Sequence, residues 1–271
     1  MHFRNIAAVL KEPALGMEYL AYSASRVMHA GRATRTLPGN IKVTGFSGFG
    51  EYHSCANFVG DAEYSFFNNL PLAEGGVVDV GANLGIVTVI LARRFADRTV
   101  HSIEPNPFTI EALRSNVKLN ECRNAVVHQI AIAGHDGTVK FDANPMNRAT
   151  TSIANAAGDN QVEVACARMD TFAASHGLDR LSFLKVDVEG YETVVFEGAA
   201  GLLGRRAVAT ILFEVAPPMA IRAGFDAARP AQMLEGWGYK LFRLNADGTV
   251  RPATSAQAHE VVLENWVARA P

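Results

Sequence analysis

The stretch Val77-Val78-Asp79-Val80-Gly81-Ala82-Asn83-Leu84-Gly85 runs from an apolar, β-branched segment into a turn of small residues, and an apolar segment at 86–95 follows at once. This order predicts strand, tight turn, helix. Glycine lacks a Cβ and tolerates positive φ, so a backbone of this shape lets a nucleoside-like cofactor approach closely at the start of a helix. The pattern is D-x-G-x-N-x-G. It departs from the dinucleotide fingerprint G-x-G-x-x-G, which needs its third glycine three positions after the second. Working outward, Val100-His101-Ser102-Ile103-Glu104-Pro105-Asn106 reads as the next strand and its end. Glu104, 25 residues after Asp79, is placed to accept both hydroxyl protons of a ribose.

From residue 77 onward, short apolar runs alternate with helical ones. Strands are expected at 77–80, 100–103, 125–132, 181–187 and 207–215, and helices at 86–95, 107–120, 192–203 and 230–237. That rhythm implies an α/β fold, a mostly parallel sheet covered on both faces. Gly134-His135-Asp136-Gly137 reads as a hairpin turn between 125–132 and 138–142, 143–161 as a loop or lid, and 161–167 as an extra strand. The end, 239–244 and 261–267, reads as two antiparallel strands joined through Asn245-Ala246-Asp247-Gly248. Residues 1 to about 35 read as helical, with a short strand at 41–44. This divides the chain into an extension, 1–60, and a main α/β domain, 61–271.

Composition narrows the function classes. The chain has 271 residues, 49% hydrophobic, with a formal net charge of −2. That balance gives no general reason to expect a nucleic-acid partner. Cys55, Cys122 and Cys166 are odd in number and widely spaced, without a C-x-x-C or a Cys/His cluster in the sequence. They read as free thiols in a reducing compartment, and no metal site is expected from them. The apolar run at 6–10 is cut by Lys11-Glu12-Pro13, too short to span a membrane and without a small-residue cleavage site. The expectation is a cytoplasmic protein with no membrane partner. Its helical N-terminus is free either to pack on its own domain or to form a homo-oligomer interface.

Ligands of open α/β sheets bind outside the carboxyl ends of the strands. The candidates there are Asp79, Gly81, Asn83 and Gly85 from the first core strand, Glu104 and Asn106 from the second, and Gln129 from the third, near where an adenine edge would lie. The fourth strand ends in Asp187-Val188-Glu189-Gly190 and the fifth in Phe213-Glu214-Val215. Period-two geometry puts Asp187 and Glu189 on one side if the strand continues. Neighbouring carboxylates disfavour each other's ionisation, which suits one of them to accept a proton near neutral pH. Each residue also has a purely structural reading: Asp79 as a turn cap, Glu189 and Glu214 as helix caps, the glycines as packing.

Taken together these residues resemble the FkbM family of S-adenosylmethionine (SAM)-dependent methyltransferases. The resemblance rests on residues 78–85, then Ile103-Glu104-Pro105-Asn106-Pro107, Asn116-Val117-Lys118-Leu119-Asn120, Met169-Asp170-Thr171-Phe172, Leu184-Lys185-Val186-Asp187-Val188-Glu189-Gly190-Tyr191-Glu192 and Phe213-Glu214-Val215. It implies a class I methyltransferase fold, a Rossmann-like sheet of seven strands whose last is antiparallel. It implies SAM as methyl donor and a hydroxyl acceptor on a sugar or other secondary metabolite, so that the partner is a small molecule or a glycan. By position, Asp79, Gly81, Asn83 and Gly85 would line the methionine end of SAM, Glu104 would hold the ribose, and Asp187 would lie near the transferring methyl as the candidate catalytic base. Glu63 would also face the cofactor, and Tyr64 and Phe66 would help to close the site. His53 and His135 are alternative bases from flanking loops. A divalent metal on Asp187 with Glu189 or Glu214 is a lesser alternative, without a complete ligand set. Methylation of nitrogen, an NAD-linked oxidoreductase, and a catalytically silent SAM-binding domain remain as competing functions.

Overall fold

The structure is a computed structural model that describes residues 13–57, 59–71, 73–142 and 161–271; the apolar run at 6–10 and nearly all of the loop expected at 143–161 lie outside the described residues. Its centre is an eight-stranded sheet. With strands numbered along the chain, the order is β12-β11-β13-β10-β9-β3-β4-β5, formed by Val250–Ala253, Lys240–Leu244, Glu264–Arg269, Val208–Val215, Leu181–Val186, Gly76–Val80, Val100–Ile103 and Ala125–His128. Strands β10, β9, β3, β4 and β5 are mutually parallel, and β13 inserts antiparallel between β10 and β11. This is the class I methyltransferase arrangement with one strand added. The expected count of seven is corrected to eight by β12, which the turn at 245–248 folds back onto β11. That turn therefore joins β11 to β12, not to β13.

Two further differences come from pairing between distant segments. The strand expected at 125–132 breaks after His128, and Ala131–Ile132 (β6) leaves the main sheet. The segment Gln161–Ala167 (β8) then pairs parallel with β6 and antiparallel with Gly137–Asp142 (β7), giving a small sheet in the order β6-β8-β7. The turn at 134–137 is thus no hairpin; β8 occupies the place between the two segments. At the N-terminus the helix α1 (Pro13–Met28) stops short of the expected residue 35, and Thr34–Leu37 (β1) pairs antiparallel with Ile41–Thr44 (β2).

Alternation along the central strands divides the core into two layers. Val78, Val80, Ile103, Leu184, Val186, Ile211 and Phe213 face α6 (Met169–Ser175), α7 (Glu192–Gly198), α8 (Ala200–Gly204) and α10 (Arg229–Gly236). Val77, Val100, Phe183 and Leu212 face the other way, against α3 (Asp61–Asn68) and α4 (Ile86–Arg94). Helix α4 is rich in β-branched residues, which are mediocre helix formers. It forms because it is enclosed: Ile86, Thr88, Val89, Ile90, Leu91 and Ala92 are all buried, some against the sheet and some against Leu37, Ile41 and Val43 of the N-terminal hairpin. The hairpin is docked further by α5 (Ile110–Leu119) and its C-cap residue Asn120. Asn116 Oδ1 accepts the Thr44 N–H (2.8 Å), and Asn120 Oδ1 accepts the Lys42 N–H (2.9 Å).

Candidate active site

At the carboxyl ends of β3, β4, β9 and β10 the strands open onto a cavity of about 360 Å³, within the range of small-molecule sites. Gly81, Asn83, Glu104, Asp187, Glu189 and Glu214 line it. The β3 turn is held tightly. The N–H groups of Gly81 and Ala82 both donate to the Ile103 carbonyl (3.0 Å each). Gly81 has φ +79°, and a Cβ there would stand 1.8 Å from the Asp187 carbonyl oxygen. The turn can lie this close to β9 only because residue 81 has no side chain.

Glu104 is 6% exposed, and its carboxylate spans the first two strand ends. Oε2 accepts the Asn83 N–H (2.9 Å) and Oε1 the Asn106 N–H (2.8 Å). Burial pushes this carboxyl up to about 7, against the pull of those two N–H groups. Asp79 does not reach the cavity. It is fully buried behind the turn, where Oδ2 accepts the Thr88 hydroxyl (2.7 Å), which in turn accepts that of Ser102 (2.9 Å). Burial pushes the Asp79 carboxyl up, and Lys185 and Thr88 pull it back. Gly85 and Asn106 also lie behind the wall, Gly85 as the left-handed N-cap of α4 against Leu113. Gln129 is exposed and lies outside the cavity lining.

Lys185 has no role legible in the sequence, yet it stands at the centre of the site. It is 5% exposed in the middle of the sheet. Its Nζ lies 3.1 Å from Asp187 Oδ2 and 3.6 Å from Asp79 Oδ1, and donates to the Gly81 carbonyl (3.2 Å). Burial works against its charge, but Asp187 and Asp79 outweigh it and hold the ammonium above the usual lysine range. The available signal was a lysine in the otherwise apolar run Phe183-Leu184-Lys185-Val186, on the same face of β9 as Phe183.

A cluster of carboxylates closes the β9–β10 side. Burial, with Asp187 and Glu192 nearby, pushes Glu189 up to about 8, and its Oε2 is buried without a hydrogen-bond partner. Glu214 is raised in the same way, by burial first and then by Asp187, Glu192 and Glu189, and its Oε2 is likewise unpartnered. Glu192 does not line the cavity. Burial raises it to about 7 while it accepts the Val188 and Gly190 N–H groups at 3.0 and 3.4 Å, pinning the β9 turn. Within that turn Glu189 has φ +58°, a conformation unfavourable for glutamate. It is an outlier located at the putting-together of the site, where strain of order 1–3 kcal/mol is tolerated because the surroundings impose it.

Glu63 reaches the cavity from α3. Its Oε2 accepts the Gly60 N–H (2.7 Å), and its Oε1 accepts Asn265 Nδ2 (2.5 Å) from β13. Glu264 and Asn265 of β13 are lining residues that the sequence reading did not single out. Phe66 is a core residue against Phe183, and neither it nor Tyr64 lines the cavity. His53 pairs with Glu18 (2.5 Å) and His135 faces the Thr138 carbonyl (3.3 Å), both outside the lining. Away from the cavity, one side-chain group was invisible in the sequence: His101, His128 and His176, far apart in the chain, come together in space.

The strand order and the strand-end cavity define a Rossmann-like protein of the class I methyltransferase type. The chain matches the methyltransferase FkbM domain over residues 79–241, and it belongs to that family. It is 25% identical over 142 residues to "Methyltransferase 1" of Beauveria bassiana, covering 45% of this chain and 57% of that protein, just over half its length. It is also 25% identical over 210 residues to "Methyltransferase sdnD" of Sordaria araneosa, covering 66% of this chain and 78% of that one. Among solved structures, precorrin-6y C5,15-methyltransferase from Geobacter metallireducens aligns at 11% identity and a TM-score of 0.43, over 77% of this chain and 88% of that one. Among the described residues, no helix is long and apolar enough to cross a membrane.

Proposed function

We propose that this protein transfers a methyl group from SAM to a hydroxyl of a small-molecule or glycan acceptor. The observation that carries the reading is the cavity lined by carboxylates at the strand ends, with buried oxygens of Glu189 and Glu214 left without partners. A ligand bearing a sulfonium and an ammonium group suits such a lining. The Glu104 carboxylate, held by two backbone N–H groups, suits a ribose diol. When bound, SAM would supply a methyl carbon already activated by its sulfonium centre.

The chain's own residues then hold the reactants in line and take up the hydroxyl proton. Asp187 is fastened to Lys185 and provides fixed negative charge at the cavity wall. Glu189, pushed up to about 8, suits the proton acceptor, because a base works best with its pKa near the working pH, whereas the Asp187 carboxylate is already engaged by the Lys185 ammonium. Leu263, 56% exposed at the cavity rim, offers an apolar lip to the acceptor.

Isothermal titration with SAM, with NAD as control, tests the donor. Micromolar SAM binding is expected, weakened on the order of 100-fold in Glu104→Ala, which loses two charge-assisted hydrogen bonds as well as the ribose contacts. No binding of SAM, or equal binding of NAD, would sink the proposal. With an acceptor from a screen of hydroxylated glycans and metabolites, kcat/KM is expected to rise with pH to a plateau above about 8. Glu189→Gln should lower kcat by roughly 10²–10⁴.

A further inference from the structure

We infer that His101, His128 and His176 form a binding site for a transition-metal ion of the zinc class, separate from the strand-end cavity. One ring nitrogen from each histidine lies within 4.8 Å of one from each of the others. His101 belongs to β4 and His128 ends β5, on the sheet face covered by α6; His176 is the C-cap of α6. None of the three lines the cavity.

Three details favour a metal over simple packing. First, His101 Nδ1 and His128 Nε2 are 3.1 Å apart. Two imidazoles on one tetrahedral ion, each about 2.0–2.1 Å from it, hold their nitrogens about 3.3 Å apart. Second, His176 Nδ1 lies 2.8 Å from the Phe172 carbonyl. A carbonyl only accepts, so Nδ1 carries the proton and Nε2 keeps its lone pair. An imidazole anchored through one nitrogen to a carbonyl, with the other free, is how metal-bound histidines are usually oriented. Third, the ring of Phe172 packs edge-on against His101 and His128 at 5.8 and 5.0 Å, restricting both. Neutral nitrogen is the ligating form.

Imidazole ligands suit zinc, copper and nickel rather than magnesium or calcium. His176 is exposed, so a fourth position is open to water. The ion would tie β4, β5 and α6 together. It would also lie close to the ribose-side wall, because the His128 carbonyl accepts the Glu104 N–H at 3.0 Å.

The test is titration of the full chain, without a polyhistidine tag, with Zn²⁺ by calorimetry and with Co²⁺ by visible absorption. The expected result is one equivalent bound and a tetrahedral Co²⁺ spectrum. Binding should weaken on the order of 100-fold or more in His176→Ala and in His128→Ala, since losing a ligand exceeds the 10–100-fold cost of losing an outer-shell partner. His53→Ala should bind like the parent. His176 is exposed, so its variant is expected to fold, and circular dichroism checks this. Absence of binding by the folded parent, or binding unchanged in both cluster variants, would overturn the site. The His101–His128 contact would then be an N–H···N hydrogen bond.

Discussion

Lys185 carries two jobs at one position. Its ammonium compensates Asp79 in a dry sheet interior and holds Asp187 at the cavity wall. Lys185→Met keeps most of the volume but strands Asp79, so a loss of about 3–5 kcal/mol is expected, read by urea denaturation. A loss under 1 kcal/mol would mean that Thr88 alone satisfies Asp79. Glu189 presents the opposite balance. Its left-handed φ of +58° and its unpartnered Oε2 both work against the folded state. Glu189→Gly removes the strain and the buried carboxyl, and is expected to stabilise the protein by about 1 kcal/mol while methyl transfer falls sharply. Stability and activity falling together would show that the side chain is structural.

Helix α5 acts as a pairing partner for β2 in the way a strand would. Two asparagines one turn apart present their amides to the backbone of residues 42 and 44. Asn116 does more: its Nδ2 also donates to the Leu84 carbonyl (2.8 Å), which lies in the β3 turn. The N-terminal hairpin and the turn that lines the cavity therefore share one buried side chain. Asn116→Ala leaves three backbone groups unpaired and is expected to cost about 2–3 kcal/mol in a denaturation experiment. SAM affinity should fall with it, whereas Asn120→Ala should lower stability less and spare affinity. This coupling was not legible in the run Asn116-Val117-Lys118-Leu119-Asn120. The i, i+4 spacing puts both amides on one face of a helix, but what they meet is 32 to 78 residues away.

Across the whole molecule, buried carboxylates dominate the pH response. Glu104, Glu189 and Glu192 are raised from an ordinary 4.5 to about 7, 8 and 7. A raised carboxyl means that the native state holds more protons than the unfolded chain between those values. The stability they contribute is complete below about pH 4.5 and is lost as pH rises through 7 to 8. The Tm of the ligand-free protein is therefore expected to fall between about pH 4.5 and pH 8, and calorimetric scans at constant ionic strength check this. A cationic donor would favour the ionised forms, so SAM affinity should rise over the same window. A Tm that rises over that window would show the carboxylates to be solvated.

What the sequence determined by itself is local and periodic. The β-branched run before Gly81, the small-residue turn and the alternation of strands with helices specify a parallel sheet, because each depends on residues within a few positions of one another. Strand-end carboxylates follow from that topology, which is why Glu104 and Asp187 are legible in the sequence as cavity-lining residues. Tertiary structure decided whatever rests on distant partners. It broke the strand expected at 125–132, placed β8 between β6 and β7, added β12 at the edge, and moved Asp79 behind the cavity wall and Gln129 outside it. It also set which carboxylates are starved of solvent, gave Lys185 two acidic neighbours, and gathered three histidines from β4, β5 and α6. Burial, and encounters between side chains tens of residues apart, exist only once the chain has closed on itself.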